Sequence, residues 1–248
     1  MGITFNCNIN NNYSLGMTKY RDDKSHIATS PILSMPEKSG QIQKSYLSSP
    51  RYLAFLESIK KYDLSQSKSS DKTVRFASKI REEFKKDYGV IKSSSMEYFI
   101  SKDKYKVYDS LLLYKINQMR KKCRVPSQAK YIENLSKAVK ADKIGNCADV
   151  SLICAKEIFD KKSDYKASVL DLKMVTPGNI FENHVAVLVS PKNEKGNGLN
   201  SKSVIVDNWL GGVYYYKDWQ KIIKKVFKPV DIIVNADDSV WNNFENHK

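Results

Sequence analysis

At 248 residues with 41% hydrophobic side chains, the chain is long enough to bury a full core and too apolar for a disordered polymer. No apolar run reaches the length of a membrane span, and residues 1–20 are polar and Asn-rich, without the apolar stretch of a cleavable signal peptide. The formal net charge of +15 is uneven: residues 51–130 carry twenty basic and nine acidic side chains, residues 131–248 seventeen and fifteen.

The four cysteines (Cys7, Cys123, Cys147, Cys154) have no CxxC spacing, so free thiols in a reducing compartment are expected rather than disulfides. They are dispersed, and of the three histidines only His184 lies away from tail-like segments, so no zinc site and no cofactor are expected. The Met1-Gly2 start is not read as a myristoylation site, because position 6 is Asn6 where Ser or Thr is wanted.

Residues 1–49 are Asn-, Ser- and Lys-rich, are broken by Pro31, Pro36 and Gly40, and read as a flexible leader. From Pro50 the spacing of Leu53, Phe55, Leu56, Ile59 and Tyr62 is helical. After the Ser-rich stretch 65–70, Ala77, Ile80, Phe84 and Tyr88 form a second helical stripe, with Gly89 placed as its cap. A third helical region runs from about Met96 to Met119, perturbed near Lys102–Lys104, and ends in the basic run Arg120-Lys121-Lys122-Cys123-Arg124 before Pro126. A fourth helix is predicted over 127–140 with Tyr131, Leu135, Ala138 and Val139 inward. Asn146 reads as the N-cap of a fifth, buried helix reaching about Phe159, with Ala148, Leu152, Ala155 and Phe159 as one stripe widened by Val150, Ile153 and Ile158.

After Asp164 the period becomes two. Residues 168–175, 185–189 and 204–206 read as strands around a polar loop at 191–201. Residues 214–216 extend the sheet, Trp219 to Val226 suggests a short helix, and 230–234 a last strand. The class is therefore α+β. The expected organisation is a leader (1–49), a basic helical region (50–125), a catalytic core (126–240) and a tail (241–248).

The chemistry gathers between Gly145 and Gly212. A thiol is a poor nucleophile until it loses its proton, and a helix N-terminus and a neighbouring imidazolium both favour the thiolate. Cys147 follows the Asn146 cap directly, with Gly145 before it read as the residue that allows a sharp turn and leaves room for a substrate chain. Cys154, two turns inside the same helix, reads as an inert core thiol. Centring the hairpin loop near residue 195 or 196 sets His184 directly opposite Asp207, with Cβ atoms ~5 Å apart. The carboxylate would then hold Nδ1–H of the imidazole. Asn208 competes with Asp207 for this role, but period two points it to the other face; Trp209 would shield the group from water. For the oxyanion, one donor is the Cys147 backbone N–H, and the second is left open among Gln128, Asn146 and Asn183.

The stretches Gly145-Asn146-Cys147, Asn183-His184-Val185 and Val206-Asp207-Asn208-Trp209 resemble the papain-like and transglutaminase-like Cys-His-Asp superfamily. The likeness is greatest to the glutamine deamidase domains of bacterial toxins and injected effectors. Asn208 replaces their common Pro, Asp149 stands where many have Glu, and the hairpin is longer. The resemblance implies a papain-like core in which Cys147 is the nucleophile, His184 the acid/base and Asp207 the orienter. It further implies a secreted effector that works in a host-cell cytoplasm on a host protein. The same triad serves proteases and transglutaminases. A different class is a non-catalytic module whose basic helices dock on an acidic protein or an anionic membrane surface; nucleic acid is not expected, for want of a recognisable motif.

Overall fold

The computed structural model describes residues 50–89, 91, 106–161, 163–175, 181–193, 199–226 and 228–235. The expected leader and tail, and residues 96–105 of the third helical region, lie outside the described residues. Among the described residues the elements in order are α1 (Pro50–Tyr62), α2 (Lys72–Tyr88), α3 (Lys106–Cys123), α4 (Gln128–Asp142), α5 (Cys147–Asp160), β1 (Tyr165–Val175), β2 (Phe181–Pro191), β3 (Val204–Asp207), β4 (Gly212–Tyr215), α6 (Tyr216–Val226) and β5 (Lys228–Asn235). The α+β class is borne out. The sheet is antiparallel with strand order β4-β3-β2-β1-β5.

Local chemistry sets the helix ends. The Asp71 carboxylate accepts from the Thr73 and Val74 amides at the start of α2, and Gly89 closes it at φ 66°, its N–H donating to the Lys85 carbonyl. The stripe Ala77, Ile80, Phe84 and Tyr88 is buried as its spacing predicts. Ser127 caps α4. There the inward stripe is displaced: Ile132, Leu135 and Val139 are buried, whereas Tyr131 and Ala138 are half-buried. In α5 the residues expected only to widen the stripe, Val150, Ile153 and Ile158, form the buried face with Cys154 and Ala155; Ala148, Leu152 and Phe159 are half-buried. The difference arises because α5 packs on β1 and β2 while also touching α4 and α2, and the sheet takes the β-branched face.

The sheet separates two apolar layers. Val187, Val189, Val204, Val206 and Val213 face α2 to α5. Leu170, Leu172, Ala186, Leu188, Ile205 and Tyr214 face α1 and α6, where Phe55, Trp219, Ile222 and Ile223 are fully buried. The alternation is that of strands covered on both faces. Edge strand β4 is covered by the segment after α1: the Leu64 N–H donates to the Val213 carbonyl at 2.7 Å, and the Val213 N–H to Asp63 Oδ1 at 2.9 Å. The helices of the basic region thus share their cores with the sheet.

Candidate active site

Strand parity places the first two groups. His184 and Asp207 lie on the face of the sheet that carries Ala186, Leu188 and Ile205. The register corrects the expected pairing. Val187 opposes Val206 and Val189 opposes Val204, so Asp207 falls across from Ala186, two residues from His184. A slip of two preserves the face, and the diagonal distance stays within reach of an imidazole and a carboxylate. On the β3 side of the loop, the Ser203 N–H donates to the Asn200 carbonyl and the Asn200 N–H to Ser203 Oγ.

His184 Nε2 lies 2.6 Å from Asp207 Oδ2. The nitrogen facing the carboxylate is therefore Nε2, not Nδ1 as expected. The Asp207 carboxylate is saturated: Oδ2 also accepts Trp219 Nε1–H at 2.8 Å, and Oδ1 accepts the Trp209 and Leu210 amides at 3.1 and 2.9 Å. It is 0% exposed, and His184 is 2% exposed. Burial alone would lower the imidazole pKa, but the Asp207 charge, the bond to Asp207 and a hydrogen bond with Cys147 outweigh it and raise it to about 10. Burial pushes the Asp207 carboxyl up, and the charge and hydrogen bond of His184, with Trp219 and the Leu210 amide, bring it net below its ordinary value.

Cys147 comes from the other layer. It is half-buried at the first position of α5 and close enough to His184 to help raise the imidazole pKa. The contact forms where β2 runs on beyond its last pair with β3, Val187 with Val206, and the sheet no longer separates the layers. Around it stands a capping box. Asn146 Oδ1 accepts the Ala148 and Asp149 amides at 3.1 and 3.3 Å, and Asp149 Oδ2 accepts the Asn146 amide at 2.9 Å. Among the described residues, the Cys147 N–H has no acceptor. The Asn146 carbonyl oxygen is committed to the cap. The side chains of Gln128 and Asn183 lie outside the described residues.

Arg120 and Trp219 were not singled out by the sequence. Arg120, at the end of α3, donates from Nε to Asp149 Oδ1 at 2.8 Å, and from Nη2 to Asp149 Oδ2 at 3.0 Å and to Asn146 Oδ1 at 2.6 Å. The Asn146-x-x-Asp149 pattern could have announced the capping box; nothing local announces the arginine. Trp209 lies against His184 with ring centroids 4.9 Å apart, and Trp219 stacks at 6.0 Å. Asn208 lies near the Cys154 thiol, and its buried Nδ2 has no hydrogen-bond partner among the described residues. Cys154 is fully buried, and burial pushes its thiol up to about 12.

Gly145 corrects the motif reading. It has no positive φ, and a Cβ there would meet Ile91, Asp149 and Val139 at 3.5–3.6 Å, the protein interior rather than a substrate path. Among the described residues no cluster of His, Cys, Asp and Glu is placed to hold a metal ion, and no helix is long and apolar enough to cross a membrane. No family model matches the chain, and no curated protein matches it.

Proposed function

We propose that the protein is a cysteine-dependent amidohydrolase with a papain-like core, and that its reaction is deamidation of a glutamine side chain in a protein. The observation that carries this reading is the relay from Cys147 through His184 to a fully bonded Asp207. Cys147 passes its thiol proton to His184 and its Sγ attacks the carboxamide carbon; the carbonyl oxygen takes the electron pair and is held by the Cys147 N–H. His184 protonates the departing ammonia, leaving a thioester on Cys147. It then takes a proton from water, whose oxygen attacks the thioester; glutamate leaves and the thiol is restored. Asp207 keeps the imidazole oriented throughout.

The choice of glutamine follows from the likeness to toxin and effector deamidases, and so does delivery into a host cell. The charge of residues 51–130 favours an acidic protein as substrate, with an anionic membrane as the next partner class. The test has two stages. Iodoacetamide labelling mapped by mass should mark Cys147 ahead of the buried Cys123 and Cys154. Intact-mass analysis of acidic target proteins should then give the increment of an NH2-to-OH exchange. Fragments would make the enzyme a protease, and cross-linked species a transglutaminase. Unselective labelling, with salt-sensitive binding unaffected by Cys147→Ala, would leave a binding module.

A further inference from the structure

We propose that Arg120 is a positioning residue for the nucleophile: it fixes the first turn of α5 so that the Cys147 thiol faces His184 and the Cys147 N–H stays free. The inference rests on Cys147 being the nucleophile. Arg120 and Asp149 are nearly buried, with side-chain exposures of 12% and 2%, so their bonds are little screened by solvent. The guanidinium spans both members of the capping box, using two donors on the Asp149 carboxylate and sharing one with Asn146 Oδ1. Those two residues bracket Cys147.

The contact to Asn146 is the informative one. A side-chain amide has a donor end and an acceptor end, and only the acceptor end is compatible with a cation. Arg120 thereby adds a third donor to the two backbone amides that call for the Oδ1 end, and strengthens that orientation of Asn146. With Oδ1 held inward, it accepts the Ala148 and Asp149 amides and leaves that of Cys147 unused. With the amide reversed, both N–H groups would be released and would compete for the substrate oxygen. The guanidinium also neutralises a buried carboxylate two residues from the sulfur. A lysine could supply the charge but not the planar fork that reaches both partners. Arg120 therefore works inward, toward the cap, although its neighbours Lys121 and Lys122 are exposed.

The experiment measures the rate of Cys147 alkylation by iodoacetamide from neutral to alkaline pH, with thermal unfolding in parallel. It compares the wild type, Arg120→Lys, and the double variant Arg120→Gln/Asp149→Asn, which leaves no unpaired buried charge. Both variants should alkylate more slowly at neutral pH, by up to about 10²-fold. Their rate profiles should move to higher pH, by more in the double variant. Wild-type rates and profiles in folded variants overturn the proposal. So does a lowered thermal midpoint with an unmoved profile, the signature of a structural role alone. A wild-type Cys147 no more reactive than Cys123 or Cys154 overturns the nucleophile reading and this inference together.

Discussion

Trp219 and His184 share one oxygen atom. Asp207 Oδ2 accepts Trp219 Nε1–H at 2.8 Å and lies 2.6 Å from His184 Nε2, and the two rings stack at 6.0 Å. The indole from α6 thus holds the carboxylate that holds the imidazole. Trp219→Phe keeps most of the buried ring and removes the donor. A bond to a buried charged group contributes about 1.5–3 kcal/mol, and that loss should be seen as a lower urea midpoint. An unchanged midpoint would show that the shared oxygen does not need its second donor.

The same pair predicts a bell in stability against pH. The His184 pKa is raised from 6.5 to about 10, so the folded protein holds this proton more tightly than the unfolded chain. That stabilisation is complete below pH 6.5 and is lost as pH rises through about 10. Asp207 is shifted the other way, below 3.8; its contribution is present above that value and is lost as pH falls through the lowered one. Thermal unfolding of the wild type and of His184→Gln, followed from pH 6.5 to 10, should give a falling midpoint in the first and a flatter line in the second. Parallel slopes would contradict the assignment.

What the sequence disclosed was parity, and what it withheld was partnership across elements. Strand alternation fixes which residues of one strand share a face, and centring the hairpin loop put His184 and Asp207 on one side, a result that a slip of two leaves intact. The register itself depends on how many residues the loop absorbs on each side, and it lies two residues from the expected one without changing the face. The cap at Asn146 is local chemistry and could be read directly. Arg120 and Asp149 stand 29 positions apart on different helices, and a basic cluster gives no sign of which member turns inward. Trp219 read only as an apolar helix residue, because its Nε1 finds a partner through the return of α6 onto the sheet.

Asp207 and Asn208 should part company on mutation. Asp207→Asn keeps an oxygen for the Trp209 and Leu210 amides but puts a neutral NH2 group where His184 and Trp219 now donate. The imidazole then loses both its charge partner and its orientation, and turnover should fall by about 10²–10⁴-fold. Asn208→Ala removes a side chain that lies near Cys154 and whose Nδ2 has no hydrogen-bond partner among the described residues. It should leave both turnover and Cys147 alkylation at wild-type rates. Equal losses in the two variants would reopen the choice of orienting residue.

Two glycines give the last contrast. Gly145 belongs to the motif, yet an added Cβ would make only ordinary contacts at 3.5–3.6 Å, on a backbone that needs no left-handed conformation. Gly145→Ala should therefore change stability by less than about 1 kcal/mol and leave alkylation of Cys147 intact. Gly212 opposes Asp207 in the β3–β4 ladder. There a Cβ would lie 2.6 Å from Tyr214 Cζ and 2.8 Å from Asp63 Oδ1. Tyr214 is fully buried, and Asp63 is tied to the Ser65 and Val213 amides, so neither yields easily. Gly212→Ala should cost about 1–3 kcal/mol in urea unfolding and disturb the strand end that presents the carboxylate. If Gly145→Ala proves the more damaging of the two, the space before Cys147 serves substrate after all, and the interior packing described for it is wrong.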